Sequence, residues 1–131
     1  MSAQYPNELL YTRDHEWARV EGTTATIGIT RFAVDQLGDV TQVDLPKEGE
    51  TFKQGDVFGT VESVKAVSDL FSPFTGKVVK VNSPLQDSPE YVNEDPYDEG
   101  WMVQIELTKP DEAKALLDAD TYQGFLREQG E

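Results

Sequence analysis

The chain has 131 residues and a formal net charge of −14, with 25 acidic and 11 basic side chains. This length predicts one domain, residues 1–131, with a modest hydrophobic core. The excess of acid argues against nucleic acid as a partner, because phosphate binding needs a basic surface, and it fits a partner with a basic docking face. The lack of cysteine excludes disulfides and thiolate chemistry, so redox chemistry would have to come from a cofactor.

Neither a membrane segment nor a targeting segment is visible. There is no run of about 18 apolar residues, so we expect no transmembrane helix and no membrane partner. Residues 1–6 lack a basic stretch followed by an apolar one, so we expect no signal or transit peptide and a cytoplasmic protein.

The first part of the chain predicts a hairpin. After a loose lead-in at residues 1–10, the segments 15–20 and 24–29 have the composition of two paired strands. In the second strand, apolar residues alternate with Thr26 and Gly28, which is typical of a strand with one buried face.

A short helix and several further strands follow. Thr30 can cap a helix over residues 31–37, and Gly38 can end it. Residues 83–100 contain three prolines and many acids, which predicts a long loop with at most one helical turn at 89–92. The other predicted strands cover residues 39–45, 51–53, 77–82 and 101–107, and two C-terminal helices are predicted to start near Pro110 and at a cap on Asp120.

The stretch Val61–Leu70 places Lys65 between two apolar, β-compatible runs. This composition predicts a hairpin with Lys65 at or near its turn, although the turn lacks the usual Asn-Gly or Asp-Gly. Gly55 and Gly76 lie at nearly equal distances on either side, which suggests two similar arms around a central lysine. A lysine at a hairpin tip is usually just a solvated charge, so the turn alone assigns no role.

The chain lacks the sequence patterns of a stand-alone enzyme. His15 is the single histidine and would have to serve any triad. There is no nucleophile elbow, P-loop or dinucleotide-binding glycine motif. The acidic run 94–100 lacks the ligand spacing of a calcium loop, and we expect no metal site. A carrier, in contrast, needs only one exposed amine for an attached arm.

The segment Glu62–Asp69 resembles the lipoyl-lysine segment of the glycine cleavage system H proteins. Further motifs similar to that family, and in its order, are Tyr11–Trp17, Thr26–Thr30, Leu37–Val40, Asp44–Pro46, Asp87–Glu90, Val92–Tyr97 and Gly100–Trp101. The resemblance implies a mainly β fold: a flattened antiparallel β barrel or sandwich of the biotinyl/lipoyl carrier type, with short peripheral helices, including C-terminal ones. Periodicity alone does not select that architecture.

The resemblance implies a non-catalytic carrier with lipoate attached covalently to Lys65. The lipoyl arm would take the aminomethyl group of glycine from the pyridoxal-phosphate-dependent P protein (glycine decarboxylase) to the tetrahydrofolate-dependent T protein (aminomethyltransferase). The L protein (dihydrolipoyl dehydrogenase) would then reoxidise the arm. A lipoate-attaching enzyme is the fourth implied partner.

Four other residues acquire roles through the resemblance. Glu62 and Gly76 match positions that are read during modification. Glu16 and Asp69 match carboxylates that line a cleft for the loaded arm, where a carboxylate would attract its protonated amine. Each has a plainer alternative, since Glu62 could be an ordinary strand acid, Gly76 a turn glycine with positive φ, and Glu16 and Asp69 surface acids.

Two aromatic side chains lie in the matching motifs, and two segments differ from the family pattern. His15 and Trp17 are interpreted as structural, although His15 could tune the cleft with pH. Thr30–Ala33 replaces the family's usual Thr-Asp-Tyr/His-Ala, and Thr41–Val43 replaces a more apolar run. These departures put in doubt which partner surface is used near the first helix.

Three other functions are weighed against the glycine cleavage carrier. The first is a lipoate relay that donates lipoyl groups to other lipoyl domains. The second is a biotin carrier, which is disfavoured because Val64 and Ala66 flank the lysine where biotin domains have methionines. The third is a small enzyme, which the missing catalytic patterns disfavour.

Overall fold

The computed structural model describes Pro6 and residues 8–128. Its strands are β1 (Leu10–Tyr11), β2 (Glu16–Glu21), β3 (Thr24–Ile29), β4 (Val40–Asp44), β5 (Thr51–Phe52), β6 (Val57–Ser63), β7 (Val67–Phe71), β8 (Gly76–Val81) and β9 (Val103–Leu107). Its helices are α1 (Arg31–Leu37), α2 (Pro84–Asp87), α3 (Glu90–Glu94), a 3-10 helix (Pro110–Ala115) and α4 (Ala119–Glu128). None of the helices in this described part is long and apolar enough to cross a membrane.

The strands form two antiparallel sheets that pack together without closing into a barrel. The larger sheet has the order β1-β2-β3-β9-β8-β5, and the smaller has the order β4-β6-β7. The predicted mainly β fold with short helices is therefore confirmed, in its sandwich form. The lysine hairpin is the β6–β7 pair, so it belongs to the smaller sheet.

The main core lies between the two sheets. Ile27 and Ile105 of the larger sheet belong to the same buried cluster as Val43, Val61 and Leu70 of the smaller one. Burying these side chains removes apolar surface from water, at about 25 cal/mol for each Å². This core fixes the β6–β7 hairpin against the larger sheet.

A second core covers the outer face of the larger sheet. It consists of Leu9, Tyr11, Trp17, Leu117, Ala119, Tyr122 and Leu126. The Trp17 ring lies over Gly28, where an added Cβ would come within 2.7 Å of the ring, so a strand glycine is needed there. The prediction that β3 has one buried face is wrong, because Gly28 on the second face is covered by Trp17 and Thr26 is buried as well.

The structure corrects several predicted element boundaries. The loop at 83–100 contains two helices, α2 and α3, because Pro84 starts the first one and the loop packs onto the sheets. Helix α4 is capped by Asp118 rather than by Asp120, with the Thr121 N–H donating to Asp118 Oδ1 at 2.8 Å. Within the predicted lead-in, Leu9 is buried and β1 pairs with β2, while residues 1–5 and 7 lie outside the described residues.

Candidate functional site: the Lys65 hairpin and the adjacent cleft

Lys65 is the middle of the three residues, 64–66, that join β6 to β7. The turn is closed by the Ser63 N–H, which donates to the Ala66 carbonyl at 2.8 Å. The Ser63 Oγ accepts from the N–H groups of Lys65 and Ala66, each at 3.1 Å. The hydroxyl thus satisfies turn amides locally, as serine does in many turns, and it replaces the missing Asn-Gly or Asp-Gly.

The Lys65 side chain is exposed. Two valines of the same hairpin are exposed as well, Val64 at 71% and Val67 at 62%, which is unusual for valine. The lysine stem passes over Gly38, where an added Cβ would lie 3.0 Å from Lys65 Cε. The amine is therefore accessible to another protein.

A cleft of about 290 Å³ lies between the two sheets and α1, beside the lysine turn. Ala66, the residue after Lys65, lines it, so the cleft begins next to the turn. Its acidic lining is Asp14, Glu16 and Asp69, and its apolar lining includes Ile29, Ala33, Leu37, Val61 and Leu70. The structure therefore brings the two predicted cleft carboxyls, Glu16 and Asp69, into one cavity with an apolar wall.

Glu16 is not the surface acid of the plainer interpretation, because it is 1% exposed. Its Oε1 accepts from the Thr12 hydroxyl at 2.7 Å, and its Oε2 accepts from the Phe71 N–H at 3.1 Å. Burial raises the pKa of Glu16 to about 8 against the lowering effect of these two hydrogen bonds, and the Asp14 charge adds to the rise. Glu16 is thus mostly protonated near neutral pH.

Asp69 differs from Glu16 because its side chain is exposed. It stands on β7 at the rim of the cleft, opposite Thr60 of β6. Asp69 is therefore the more accessible of the two predicted carboxyls, and Glu16 the buried one.

His15 lies at the same cleft and is held by α4. Its Nδ1 is 2.8 Å from the Tyr122 hydroxyl, which is also 2.8 Å from Thr30 Oγ1. Phe32 lies against the imidazole, with ring centroids 4.5 Å apart. Burial lowers the pKa of His15, partly countered by the Asp14 charge. These contacts match the structural interpretation of His15 and join the cleft wall to the C-terminal helix.

Glu62 and Gly76 lie in different sheets. Glu62 is partly exposed on β6, with Gln42 and Val67 opposite it on the neighbouring strands. Gly76 begins β8, and its φ is not positive, so the turn-glycine interpretation is wrong. A Cβ there would overlap the Glu106 carbonyl oxygen and the Ile105 Cγ2. The packing of β8 against β9 therefore requires glycine at position 76, independently of any role in recognition by a modifying enzyme.

The acidic run 94–100 is a packed cover as well as an acidic loop. The Pro96 carbonyl accepts from Trp17 Nε1 at 2.9 Å, and the Tyr97 hydroxyl accepts from the Arg31 N–H at 2.8 Å. Among the described residues, no group of three or more acidic or histidine side chains could hold a metal ion.

Sequence reasoning missed the residues that hold the lysine turn in place. Ser63 could have been found, because serine at the first position of a tight turn often bonds to the following amides. Gly38 could not, because its contact with the Lys65 stem depends on the tertiary fold.

Comparisons with known proteins agree with this architecture. Residues 9–129 match the family model described as Glycine cleavage H-protein. Proteins named Glycine cleavage system H protein are 55% identical in Anaeromyxobacter sp. (strain K), 54% in Symbiobacterium thermophilum and 52% in Myxococcus xanthus. The first two alignments cover 96% of this chain and the third covers 97%, with 98% of the relative covered in all three.

A solved structure shows the same fold. The crystal structure of a glycine cleavage system H protein from Mycobacterium marinum superposes with a TM-score of 0.82 and 39% sequence identity, covering 91% of this chain and 96% of that one. The chain therefore belongs to the glycine cleavage system H-protein family, whose members are non-catalytic lipoyl carriers.

Proposed function

We propose that this chain carries lipoate on Lys65 and serves as the mobile-arm subunit of a glycine cleavage system, as a single domain of residues 1–131. The observation that carries the attachment site is the position of Lys65, which is exposed in the tight turn of a hairpin and close to a cleft of about 290 Å³. An amine in this position can be acylated by another enzyme without rearranging the fold.

The residues around the turn fit an attached lipoyl group. The cleft has an apolar wall that suits a long hydrocarbon arm and acidic groups that suit an amine carried at the end of that arm. When attached, lipoate supplies the redox-active sulfurs that a chain without cysteine lacks. Tethering also gives the arm an effective concentration on the order of mM at nearby sites.

Glu16 and Asp69 would act in different ways on an amine in the cleft. Exposed Asp69 places its side chain at the rim of the cleft, while buried Glu16 starts mostly protonated. A cation that reaches Glu16 would favour loss of its proton, since opposite charges stabilise each other in a poorly solvated site. The pair thus favours a cationic amine over a neutral group.

The proposed partners are the P protein (glycine decarboxylase), the T protein (aminomethyltransferase), the L protein (dihydrolipoyl dehydrogenase) and a lipoate-attaching enzyme. Membership of the glycine cleavage family supports partner enzymes in general, and the net charge of −14 favours partners with basic docking faces. We also propose that the protein is cytoplasmic.

The attachment site is tested by expressing wild-type protein and two variants in a host that supplies lipoate. Lys65→Arg keeps the charge but removes the acylable amine, and Lys77→Arg is the matched control at an exposed lysine of β8. Intact mass and peptide mapping should find one lipoyl group on Lys65 in the wild type and in Lys77→Arg, and none in Lys65→Arg. A lipoyl group on another lysine would overturn the assignment.

The carrier role is tested separately from the attachment. Lipoylated wild-type protein is mixed with P protein, glycine and labelled bicarbonate. We expect label to exchange into glycine, and Lys65→Arg should abolish the exchange. A fully lipoylated protein that supports no exchange would instead favour the lipoate relay, an alternative that no observation in the structure favours at present.

A further inference from the structure

The side-chain amide of Asn93 pairs with the backbone on both sides of Asp39. Its Nδ2 donates to the Gly38 carbonyl at 2.8 Å, and its Oδ1 accepts from the Val40 N–H at 2.8 Å. One amide thus makes the two bonds that a neighbouring strand would otherwise supply. The segment from Gly38 to Val40, which leads from α1 into β4, is held in place by a residue of α3.

The segment that Asn93 holds supports the lysine turn. The Asp39 carbonyl accepts from the N–H of Val64, the residue before Lys65, at 3.2 Å. The stem of Lys65 passes over Gly38, whose missing Cβ leaves room for it. The turn is therefore supported twice, by Ser63 within the hairpin and by residues 38–40 from outside it.

Asn93 is itself anchored to α1. Its backbone carbonyl accepts from Arg31 Nη1 at 3.1 Å, and the Arg31 N–H donates to the Tyr97 hydroxyl. Arg31 is one of the residues at which this chain departs from the usual family pattern. The arginine ties α3 to the first turn of α1, close to the segment that Asn93 supports.

We infer that Asn93 is a positioning residue for the modification of Lys65: through Gly38 and Asp39 it fixes the orientation in which the lysine turn meets the attaching enzyme. This inference rests on the proposed function. Without the amide, residues 38–40 lose two hydrogen bonds, and the acceptor for the Val64 N–H is no longer fixed. Small displacements of a reacting group reduce rates strongly, so we expect the kcat/KM of lipoyl transfer to fall roughly tenfold.

The test compares Asn93→Ala with Asn82→Ala. Asn82 is the matched control because it is also an asparagine whose side-chain amide holds backbone, donating to the carbonyls of Glu99 at 2.8 Å and Trp101 at 2.7 Å. The readouts are kcat/KM for a purified lipoate-attaching enzyme, amide hydrogen exchange at Val64 relative to Ile105 in the core, and unfolding by urea. Both variants should lose stability.

We expect Asn93→Ala alone to exchange Val64 roughly tenfold faster relative to Ile105 and to be modified more slowly. Unchanged modification of Asn93→Ala, or equal slowing in Asn82→Ala, would overturn the inference. If Asn93→Ala does not fold, Asn93→Asp replaces it. This variant keeps the acceptor for Val40 but replaces the donor to the Gly38 carbonyl with a carboxylate oxygen, which repels it, so it should show an effect of the same kind, and wild-type behaviour would be a refutation.

The design separates this inference from the proposed function. If wild-type Lys65 is not modified at all, the proposed function fails, while the exchange of the Val64 amide still reports whether Asn93 supports the turn. If the wild type is modified and Val64 exchange does not respond to Asn93→Ala, only the positioning role fails.

Discussion

The carboxyl group of Glu16 accepts a hydrogen bond from the Phe71 N–H at 3.1 Å. Glu16 begins β2 of the larger sheet and Phe71 ends β7 of the smaller one, so a side chain joins the two open sheets where no backbone ladder does. Glu16 lines both the cleft and a second cavity of about 190 Å³. One buried acid therefore has both a structural role and a place in the proposed arm-docking site.

This position makes the stability of the protein depend on pH. The folded-state pKa of Glu16 is about 8, above its ordinary value of 4.5, so folding favours the protonated form. Its contribution is fully present below pH 4.5 and is lost as the pH rises through 8, by roughly 3–5 kcal/mol in the free energy of unfolding. Glu16→Gln should remove this loss, as measured by urea unfolding at pH 5 and pH 8.

His15 changes the stability of the protein with pH in the opposite direction to Glu16. Its pKa is lowered in the fold, so His15 contributes stability that is present above its ordinary pKa of 6.5 and is lost at lower pH. The difference between the wild type and Glu16→Gln therefore isolates the acid, since His15 is common to both. Parallel stability profiles for the two proteins would show that Glu16 does not titrate as described.

Replacing Gly76 with alanine should lower the stability of the protein strongly. In Gly76→Ala, the new Cβ would overlap the Glu106 carbonyl oxygen and Ile105 Cγ2, both on the neighbouring strand β9. Overpacking of this kind costs about 1–3 kcal/mol or more. Gly124→Ala is the control, because the nearest atom to its Cβ is Arg127 Nη2 at 3.8 Å and alanine favours a helix by about 0.5–1 kcal/mol.

Thermal unfolding of the two glycine variants measures the difference. Gly76→Ala should unfold at a lower temperature than the wild type, and Gly124→Ala at the same or a higher temperature. If Gly76→Ala is as stable as the wild type but is modified more slowly, the glycine serves recognition rather than packing.

The sequence predicts those parts of the fold that depend on local chemistry. The cap at Thr30, the helix stop at Gly38 and the β-compatible runs on both sides of Lys65 are all local, and the structure contains α1 and the β6–β7 hairpin at these positions. The two buried faces of β3 could not be predicted from its own alternation, because the second face is covered by the Trp17 side chain of the paired strand β2. The role of Asn93 could not be predicted either, since its side-chain amide forms hydrogen bonds with a segment more than fifty residues earlier.

Replacing Glu62 should slow the modification of Lys65 without affecting folding. It is partly exposed on β6, three residues before Lys65, and could be read by a partner. Glu62→Gln should reduce the kcat/KM of lipoyl attachment several-fold, because a complementary charge speeds productive encounter. Glu106→Gln is the control, since Glu106 is also an exposed strand acid but lies on the other sheet. Equal rates for the two variants would leave Glu62 as an ordinary strand acid.

We expect the Ser63 hydroxyl to keep the lysine turn ordered. Ser63→Ala removes the acceptor of the Lys65 and Ala66 N–H groups and should cost about 0.5–1.5 kcal/mol, the net value of a typical hydrogen bond. Ser63→Asn should retain the order, because an asparagine oxygen can accept from the same turn amides. The heteronuclear NOE of Lys65 and Ala66 reports fast motion of the turn, and it should fall in Ser63→Ala and stay near the wild-type value in Ser63→Asn. A rigid turn in Ser63→Ala would mean that the support from residues 38–40 is sufficient without the serine.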